Sequence, residues 1–257
     1  MSFFQVEDIS ISFGGVKAVS GVSFSVDEGE IFTIIGPNGA GKTTIFNLIS
    51  LINRPHSGQI LFEGKDLTQT HPSNVPRYGI ARTFQNIELF EHESVLQNLL
   101  VGRHLQSTTR LWEQALFLPR VRREEYINRK AVEDVIDFLD LQHYRDSVVQ
   151  NLPYGVRKVV ELGRALCIKP KLLLLDEPSS GLNVEETDDM AFWIEDIRKQ
   201  LKITVLVIEH NMNLVNRISD RVLAVNQGEV LALGSPGEVQ SHPEVISAYL
   251  GKVEDVK

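Results

Sequence analysis

One stretch of the sequence decides the fold: Gly36-Pro37-Asn38-Gly39-Ala40-Gly41-Lys42-Thr43-Thr44. It follows a short apolar run, 31–35, and it precedes a segment with helical character, 43–51. The pattern G-x-x-x-x-G-K-[ST] between a strand and a helix is typical of a loop that binds phosphate, because its glycines let successive backbone N–H groups point at an anion. The helix N-terminus adds a favourable dipole. We therefore predict a phosphate loop at 36–44, the alternative being a plain glycine-rich turn.

Two further apolar runs, Leu172–Leu175 and Ile203–Ile208, predict buried strands of the same sheet. Asp176 and Glu177 directly follow the first of them, so both are expected at the edge where open α/β sheets bind ligands. With the phosphate loop nearby, we expect Asp176 and the Thr43 hydroxyl to hold Mg²⁺. Glu177 is better placed to take a proton from an attacking water. Taken alone, adjacent acids after a strand also fit an ordinary solvated loop.

The remaining patterns predict an α/β fold with a P-loop NTPase core built on a mostly parallel sheet. Alternating residues before residue 30 predict an antiparallel N-terminal β-subdomain, and 222–233 predicts a hairpin that turns at Gly228. Strand patterns fade over 89–164, where Val132, Val135, Ile136 and Leu139 have helical spacing. We expect one domain, 1–257, in three parts: a nucleotide-binding core of 1–88 and 165–240, an inserted helical subdomain of 89–164, and a C-terminal helix and tail of 241–257.

Composition narrows the class of protein. Hydrophobic residues make up 42% and charged residues 23% of the 257 residues, close to the average for globular proteins. The net charge of −8 argues against non-specific binding of nucleic acid, which requires neutralisation of phosphates. The segment 103–130 differs from the rest of this acidic chain because its own net charge is positive. It fits either a solvated helical face or a surface that faces lipid or a partner. Apolar runs are short and there is one cysteine, so we expect a cytosolic protein without a membrane span or a disulfide.

Five motifs occur in an order that resembles an ATP-binding subunit of an ABC transporter. They are the phosphate loop, Phe84-Gln85, Leu152-Pro153-Tyr154-Gly155, Leu175-Asp176-Glu177-Pro178 and Glu209-His210. Within that family the sequence looks most like the larger ATP-binding subunit of the Liv-type importers of branched-chain amino acids. The phrases that carry this closer resemblance are Asn151–Gly155, Ser180–Asn183 and Pro243–Gly251. The resemblance spans nearly the whole chain.

The resemblance implies ATP and Mg²⁺ as the bound groups and gives roles to further residues. Phe13 would stack on the adenine, although its strand pattern equally fits a core residue. Gln85 would sense Mg²⁺ or the attacking water, and His210 would contact the γ-phosphate beside the base Glu177. The loop at Tyr154 and Gly155 would address the nucleotide of a second subunit. Catalysis would then involve Glu177, His210, Lys42 and Gln85, and nucleotide contacts would come from Gly36, Pro37, Asn38, Gly39, Ala40, Gly41, Lys42, Thr43 and Thr44.

The same resemblance implies partners. A second ATPase subunit, two membrane permease subunits and, indirectly, an extracytoplasmic solute-binding protein would complete an importer, with this chain peripheral at the cytoplasmic face of the inner membrane. Pro153 and Val156 depart from the family's L-S-G-G-Q pattern, which leaves open a homodimer or a heterodimer. The sequence does not specify the solute. The alternative function is a non-transport cytosolic ABC ATPase that drives an assembly process, and the acidic composition argues against a nucleic-acid partner.

Overall fold

The structure is a computed structural model, and it describes residues 3–106, 109, 113, 116 and 118–250. Its strands are β1 Phe4–Phe13, β2 Val16–Val26, β3 Ile31–Ile35, β4 Ser57–Phe62, β5 Lys65–Asp66, β6 Ile80–Arg82, β7 Leu172–Asp176, β8 Thr204–Ile208, β9 Arg221–Asn226 and β10 Glu229–Gly234. Its α-helices are α1 Lys42–Ile49, α2 Val95–Gly102, α3 Pro119–Phe138, α4 Tyr154–Leu166, α5 Val184–Leu201, α6 Met212–Ile218, α7 Pro236–Gln240 and α8 Pro243–Leu250. Short 3₁₀ turns occupy Pro72–Tyr78, His104–Gln106, Gln142–Tyr144 and Val149–Asn151.

Two sheets form the body of the protein. The N-terminal sheet has the order β2-β1-β4-β5 and is antiparallel. The second sheet has the order β10-β9-β3-β8-β7-β6 and is parallel except for the β9–β10 pair. The predicted α/β class, with an antiparallel N-terminal part and a mostly parallel sheet, is therefore confirmed.

The parallel sheet is buried on both faces, which explains its continuous apolar strands. Along β7, Leu172 and Leu174 face a core shared with the N-terminal sheet and α1, whereas Leu173 and Leu175 face a core shared with α4 and α5. In the first core, the Phe24 and Phe32 rings stack with centroids 5.3 Å apart. Because both faces of β7 are buried, its first polar side chain, Asp176, lies at its C-terminal end.

Two elements differ from the sequence predictions in ways that have physical causes. Helix α3 begins at Pro119, well before the residues whose helical spacing is apparent in the sequence, 132–139. Its first half is polar and its buried residues are only Val132 and Ile136, so an apolar pattern could indicate only its second half. Strand β6 was missed since it has three residues and follows a proline-containing 3₁₀ turn. The predicted hairpin is confirmed, with Gln227 and Gly228 both at positive φ in its turn, as a two-residue type I′ connection requires.

Between β6 and β7, the described residues form helices and short turns but no strand, apart from a single bridge between Ser94 and Val148. Ser94 caps α2 by accepting a hydrogen bond from the Gln97 N–H at 3.2 Å. Part of the basic segment 103–130 lies outside the described residues, namely 107, 108, 110–112, 114, 115 and 117. The subdomain boundaries given above stay predictions.

Candidate nucleotide-binding site

The phosphate loop joins the buried strand β3 to α1, as its sequence context predicts. Gly41 directly precedes α1 and has a φ of 99°, a left-handed conformation that residues other than glycine rarely adopt. A Cβ at this position would also lie 2.7 Å from the carbonyl oxygen of Ala18. Glycine at 41 therefore satisfies both a backbone conformation and a close approach to β2.

A polar cleft of about 700 Å³ opens beside this loop. Its lining contains most of the predicted site residues together with the end of the β1–β2 hairpin. The lining residues are Val16, Lys17, Ala18, Asn38, Gly39, Ala40, Gly41, Lys42, Thr43, Thr44, Gln85, Glu177 and Gln227. The cleft thus brings together three segments that are far apart in sequence: the phosphate loop, the segment after β6 and the segment after β7.

Lys42 is almost fully buried at the base of the cleft. Its Nζ donates hydrogen bonds to the carbonyl oxygens of Gly36 at 2.7 Å and of Pro37 at 3.1 Å, so these two residues contact the lysine rather than line the cleft. Burial lowers the pKa of Lys42, and the carboxylates of Glu177 and Asp176 oppose that shift. The Lys42 cation therefore interacts electrostatically with Asp176 at the end of β7 and with Glu177 directly after it.

Asp176 is buried at the end of β7 and pairs with a residue that the sequence analysis missed. The Arg82 Nη2 atom donates to Asp176 Oδ2 at 2.9 Å, and Arg82 Nη1 donates to Asn47 Oδ1 and Ser50 Oγ on the α1 side. Burial raises the pKa of Asp176, whereas the Arg82 guanidinium lowers it. The guanidinium also lies between two aromatic rings, 5.5 Å from the Phe46 centroid and 5.1 Å from that of Phe84.

Glu177 lies between two other predicted site residues. Gln85 Nε2 donates to Glu177 Oε2 at 2.9 Å, and His210 Nδ1 is 3.8 Å from the same oxygen. Glu177 has φ of 49°, an uncommon conformation for a residue other than glycine, and its N–H donates to the Ile208 carbonyl. The structure therefore places the predicted amide and imidazole around the carboxylate of the predicted base.

Glu209 is a second residue to which the sequence analysis gave no role. It is fully buried, and its carboxylate accepts hydrogen bonds from the backbone N–H groups of Ser179 at 2.9 Å, His210 at 2.9 Å and Asn211 at 3.1 Å. A buried carboxylate that accepts several N–H bonds fixes the backbone around it. Glu209 thereby fixes the loop after Glu177 relative to the backbone of His210. Its place directly before the histidine was the only signal available in the sequence.

Phe13 and Phe24 lie in similar sequence patterns but have different environments. Phe24 is buried in the core, whereas Phe13 is 48% exposed at the end of β1, so the alternative that Phe13 is a core residue is wrong. In the β1–β2 register Phe13 pairs with Val16, which lines the cleft. Phe13 itself does not line the cleft, and its contact with adenine stays a prediction.

Tyr154 and Gly155 begin α4 and do not line the cleft. Tyr154 is partly exposed, and a Cβ on Gly155 would overlap the carboxylate of Glu186. The structure therefore does not bring these two residues to the phosphate loop of their own chain. This placement agrees with the expected contact to a second subunit but does not test it.

Comparison with known proteins identifies the family. A family profile described as "ABC transporter" matches residues 19–180, which is more than half of the chain and includes the phosphate loop, Gln85 and the end of β7. The chain belongs to the ABC transporter family. A second profile, "Branched-chain amino acid ATP-binding cassette transporter", matches residues 229–255 of this cassette, from β10 onwards.

The sequence similarity to known proteins extends over almost the whole cassette. The high-affinity branched-chain amino acid transport ATP-binding protein LivG of Salmonella typhimurium is 40% identical over 249 residues, which is 96% of this chain and 97% of LivG. BraF of Pseudomonas aeruginosa, a protein of the same description, is 38% identical over 251 residues, which is 96% of this chain and 97% of BraF. Within the ABC family, this cassette groups with the ATP-binding proteins of branched-chain amino acid transport.

A solved structure has the same fold. The ADP conformation of MJ1267, an ATP-binding cassette of an ABC transporter, superposes with a TM-score of 0.85 at 33% sequence identity. The match covers 98% of this cassette and 100% of that chain. This agreement extends through the helical insert as well as the two sheets, and it confirms the predicted architecture as that of an ABC ATPase.

Proposed function

We propose that this chain is the ATP-hydrolysing, energy-coupling subunit of an importer for branched-chain amino acids or related small organic solutes. The observation that carries the proposal is the single cleft in which Lys42, Gln85 and Glu177 converge beside the phosphate loop. The high-affinity branched-chain amino acid transport described for the LivG and BraF relatives supports the class of solute.

In this proposal the phosphate loop binds ATP through its backbone N–H groups and Lys42. The hydroxyl of Thr43 and the carboxylate of Asp176 are oxygen donors of the kind that Mg²⁺ prefers, and these two side chains would hold the cation. Arg82, which donates to Asp176 Oδ2, orients that carboxylate. When bound, Mg²⁺ neutralises charge on the phosphate oxygens. The residues present therefore fit a nucleotide accompanied by a divalent cation.

Glu177 orients the attacking water and accepts its proton on the carboxylate. Gln85 donates to Oε2 of this carboxylate and so restricts its rotation. His210, whose Nδ1 is 3.8 Å from that oxygen, would contact the γ-phosphate beside Glu177. The residues around Glu177 thus hold the base in one orientation while Lys42 stabilises charge on the phosphate.

The proposed working unit contains two cassettes. Because Tyr154 and Gly155 begin α4 away from their own cleft, a second ATPase subunit, the same or different, would present its equivalent residues to it. Of the helices that the structure describes, none is both long and apolar enough to cross a bilayer. Two permease subunits would therefore form the pathway, with this chain at the cytoplasmic face and a solute-binding protein on the far side.

Copurification from membranes tests this function. Tagged Glu177→Gln protein, which should hold ATP without turning it over, is isolated from detergent-solubilised host membranes with ATP and Mg²⁺, and bound proteins are identified by mass spectrometry. We expect two multi-span proteins, with or without a second cassette. Recovery of soluble partners alone would contradict the importer and favour the alternative, a cytosolic ABC ATPase that drives assembly. A parallel preparation without ATP is the control.

A second prediction concerns the adenine. We expect Phe13→Ala to weaken ATP binding about 5- to 30-fold, because loss of one base–aromatic stack costs about 1–2 kcal/mol. Phe13→Trp keeps a stacking surface and should bind ATP as the wild type does. The measurement is titration calorimetry with ATP and, separately, with inorganic triphosphate, whose affinity should not change. An unchanged ATP affinity in Phe13→Ala would remove Phe13 from the site.

A further inference from the structure

Helix α4 carries three charged side chains that contact the segment containing Gln85. Lys158 Nζ donates to the Gln85 carbonyl oxygen at 3.1 Å, and Glu161 Oε1 accepts from the Phe84 N–H at 3.4 Å. One turn further on, Arg164 Nη1 donates to the Glu88 carbonyl oxygen. The three residues are spaced at i, i+3 and i+6, so they lie along one face of the helix.

Lys158 and Glu161 are buried to a degree that is unusual for charged residues. Lys158 is 4% exposed and Glu161 is 3% exposed. Burial lowers the pKa of Lys158 and raises that of Glu161, and each opposes the shift of the other. Apolar side chains of similar volume would fill this space at no desolvation cost. The two charges therefore call for a reason beyond packing.

The reason is that the backbone contacted by these two charges belongs to the segment that contains Gln85. The side chain of Gln85 donates to Glu177, while its carbonyl accepts from Lys158. At the other end, the Lys158 ammonium is 6.0 Å from the ring centroid of Tyr154, the first residue of α4. One buried cation thus touches both the backbone of the residue that orients Glu177 and the residue expected to face a second subunit.

We propose that Lys158 and Glu161 are positioning residues for Gln85: they fix the backbone on both sides of the Phe84–Gln85 peptide to α4, so that the Gln85 amide reaches Glu177. The proposal rests on the proposed function for the role of Glu177 but makes a structural claim of its own. Neither residue lines the cleft, so both act through Gln85 and not on the nucleotide. The carboxylates of Glu161, Asp176, Glu209 and Glu177 oppose the lowering of the Lys158 pKa by burial.

The first test needs no nucleotide. Amide hydrogen exchange of the peptide covering residues 84–88 is compared in wild type, Lys158→Met and Lys199→Met. Lys199 is an exposed lysine on α5, so Lys199→Met is the matched control. We expect exchange at 84–88 to accelerate in Lys158→Met alone, with exchange across β7 and β8 unchanged. Unchanged protection of 84–88 in Lys158→Met would overturn the proposal whether or not the protein hydrolyses ATP.

The second test is a double-mutant cycle on ATP turnover. Lys158→Met should lower kcat about tenfold, the equivalent of about 1.4 kcal/mol, with the Kd for ATP unchanged. In a Gln85→Ala background the same substitution should change kcat less than about twofold, because the residue through which it acts is gone. Equal effects in both backgrounds would show that Lys158 has a general structural role and would overturn the proposal. Absence of turnover in the wild type would instead count against the proposed function.

Two further variants guard against misfolding. Lys158→Arg keeps a cationic donor and should recover kcat to within about threefold of wild type. Should Lys158→Met lack a cooperative thermal transition, the isosteric Glu161→Gln takes its place in both tests. A neutral acceptor binds the Phe84 N–H less strongly than a carboxylate, so exchange at 84–88 should accelerate and kcat should fall. Wild-type exchange and kcat in Glu161→Gln would contradict the proposal.

Discussion

Replacement of Glu177 by glutamine is expected to lower kcat for ATP hydrolysis by about 100- to 10,000-fold while ATP binding is retained, because a positioned general base contributes rate enhancement of this size. Glutamine keeps the shape of the side chain but accepts no proton. The neighbouring contacts survive the change, since the new amide oxygen still accepts from Gln85 Nε2, which lies 2.9 Å from Oε2 in the wild type. The loss should therefore fall on kcat and not on the affinity for ATP.

The measurement combines steady-state phosphate release with equilibrium binding of ATP in the presence of Mg²⁺. Glu244→Gln, which alters an exposed carboxylate at the start of α8, is the matched control and should hydrolyse ATP as the wild type does. Hydrolysis by Glu177→Gln within about threefold of wild type would exclude Glu177 as the base. A loss confined to ATP affinity would give it a binding role instead.

The sequence was sufficient for the parts of the fold that follow from local pattern. The phosphate loop, the all-buried strands β3, β7 and β8 and the hairpin at Gly228 each have a short-range signal, and the structure has each of them. Strand β6 has no such signal, because three residues at a sheet edge carry no period. The position of β6 is set by its parallel pairing with β7, which a local pattern does not show.

The same distinction applies to the site. Lys42, Asp176 and Glu177 follow strands and belong to recognisable motifs, so their meeting at one sheet edge could be expected. Arg82 and Glu209 could not be found in this way. The partners of Arg82, namely Ser50, Asn47 and Asp176, are 32, 35 and 94 positions away from it in the sequence. Glu209 binds the backbone of Ser179, which is 30 positions away. Such partners are set by sheet order and helix packing, which local patterns do not encode.

Arg82→Met should strongly destabilise the fold. Breaking a buried ion pair by removing one partner costs about 3–5 kcal/mol of unfolding free energy, because the other charge is left uncompensated. The side chains of Arg82 and Asp176 are 7% and 3% exposed and are joined at 2.9 Å, so the pair qualifies as buried. At about 2–4 °C per kcal/mol for a chain of this size, the melting temperature should fall by roughly 10 °C.

Calorimetry or thermal circular dichroism measures the loss, with Arg54→Met as a control on an exposed arginine that should change stability by less than about 0.5 kcal/mol. The decisive comparison is the double variant Arg82→Met/Asp176→Asn. With the buried carboxylate gone, Arg82→Met should cost far less than it does alone. Full additivity of the two losses would contradict the ion pair and assign the contribution of Arg82 to its packing between Phe46 and Phe84 and its bonds to α1.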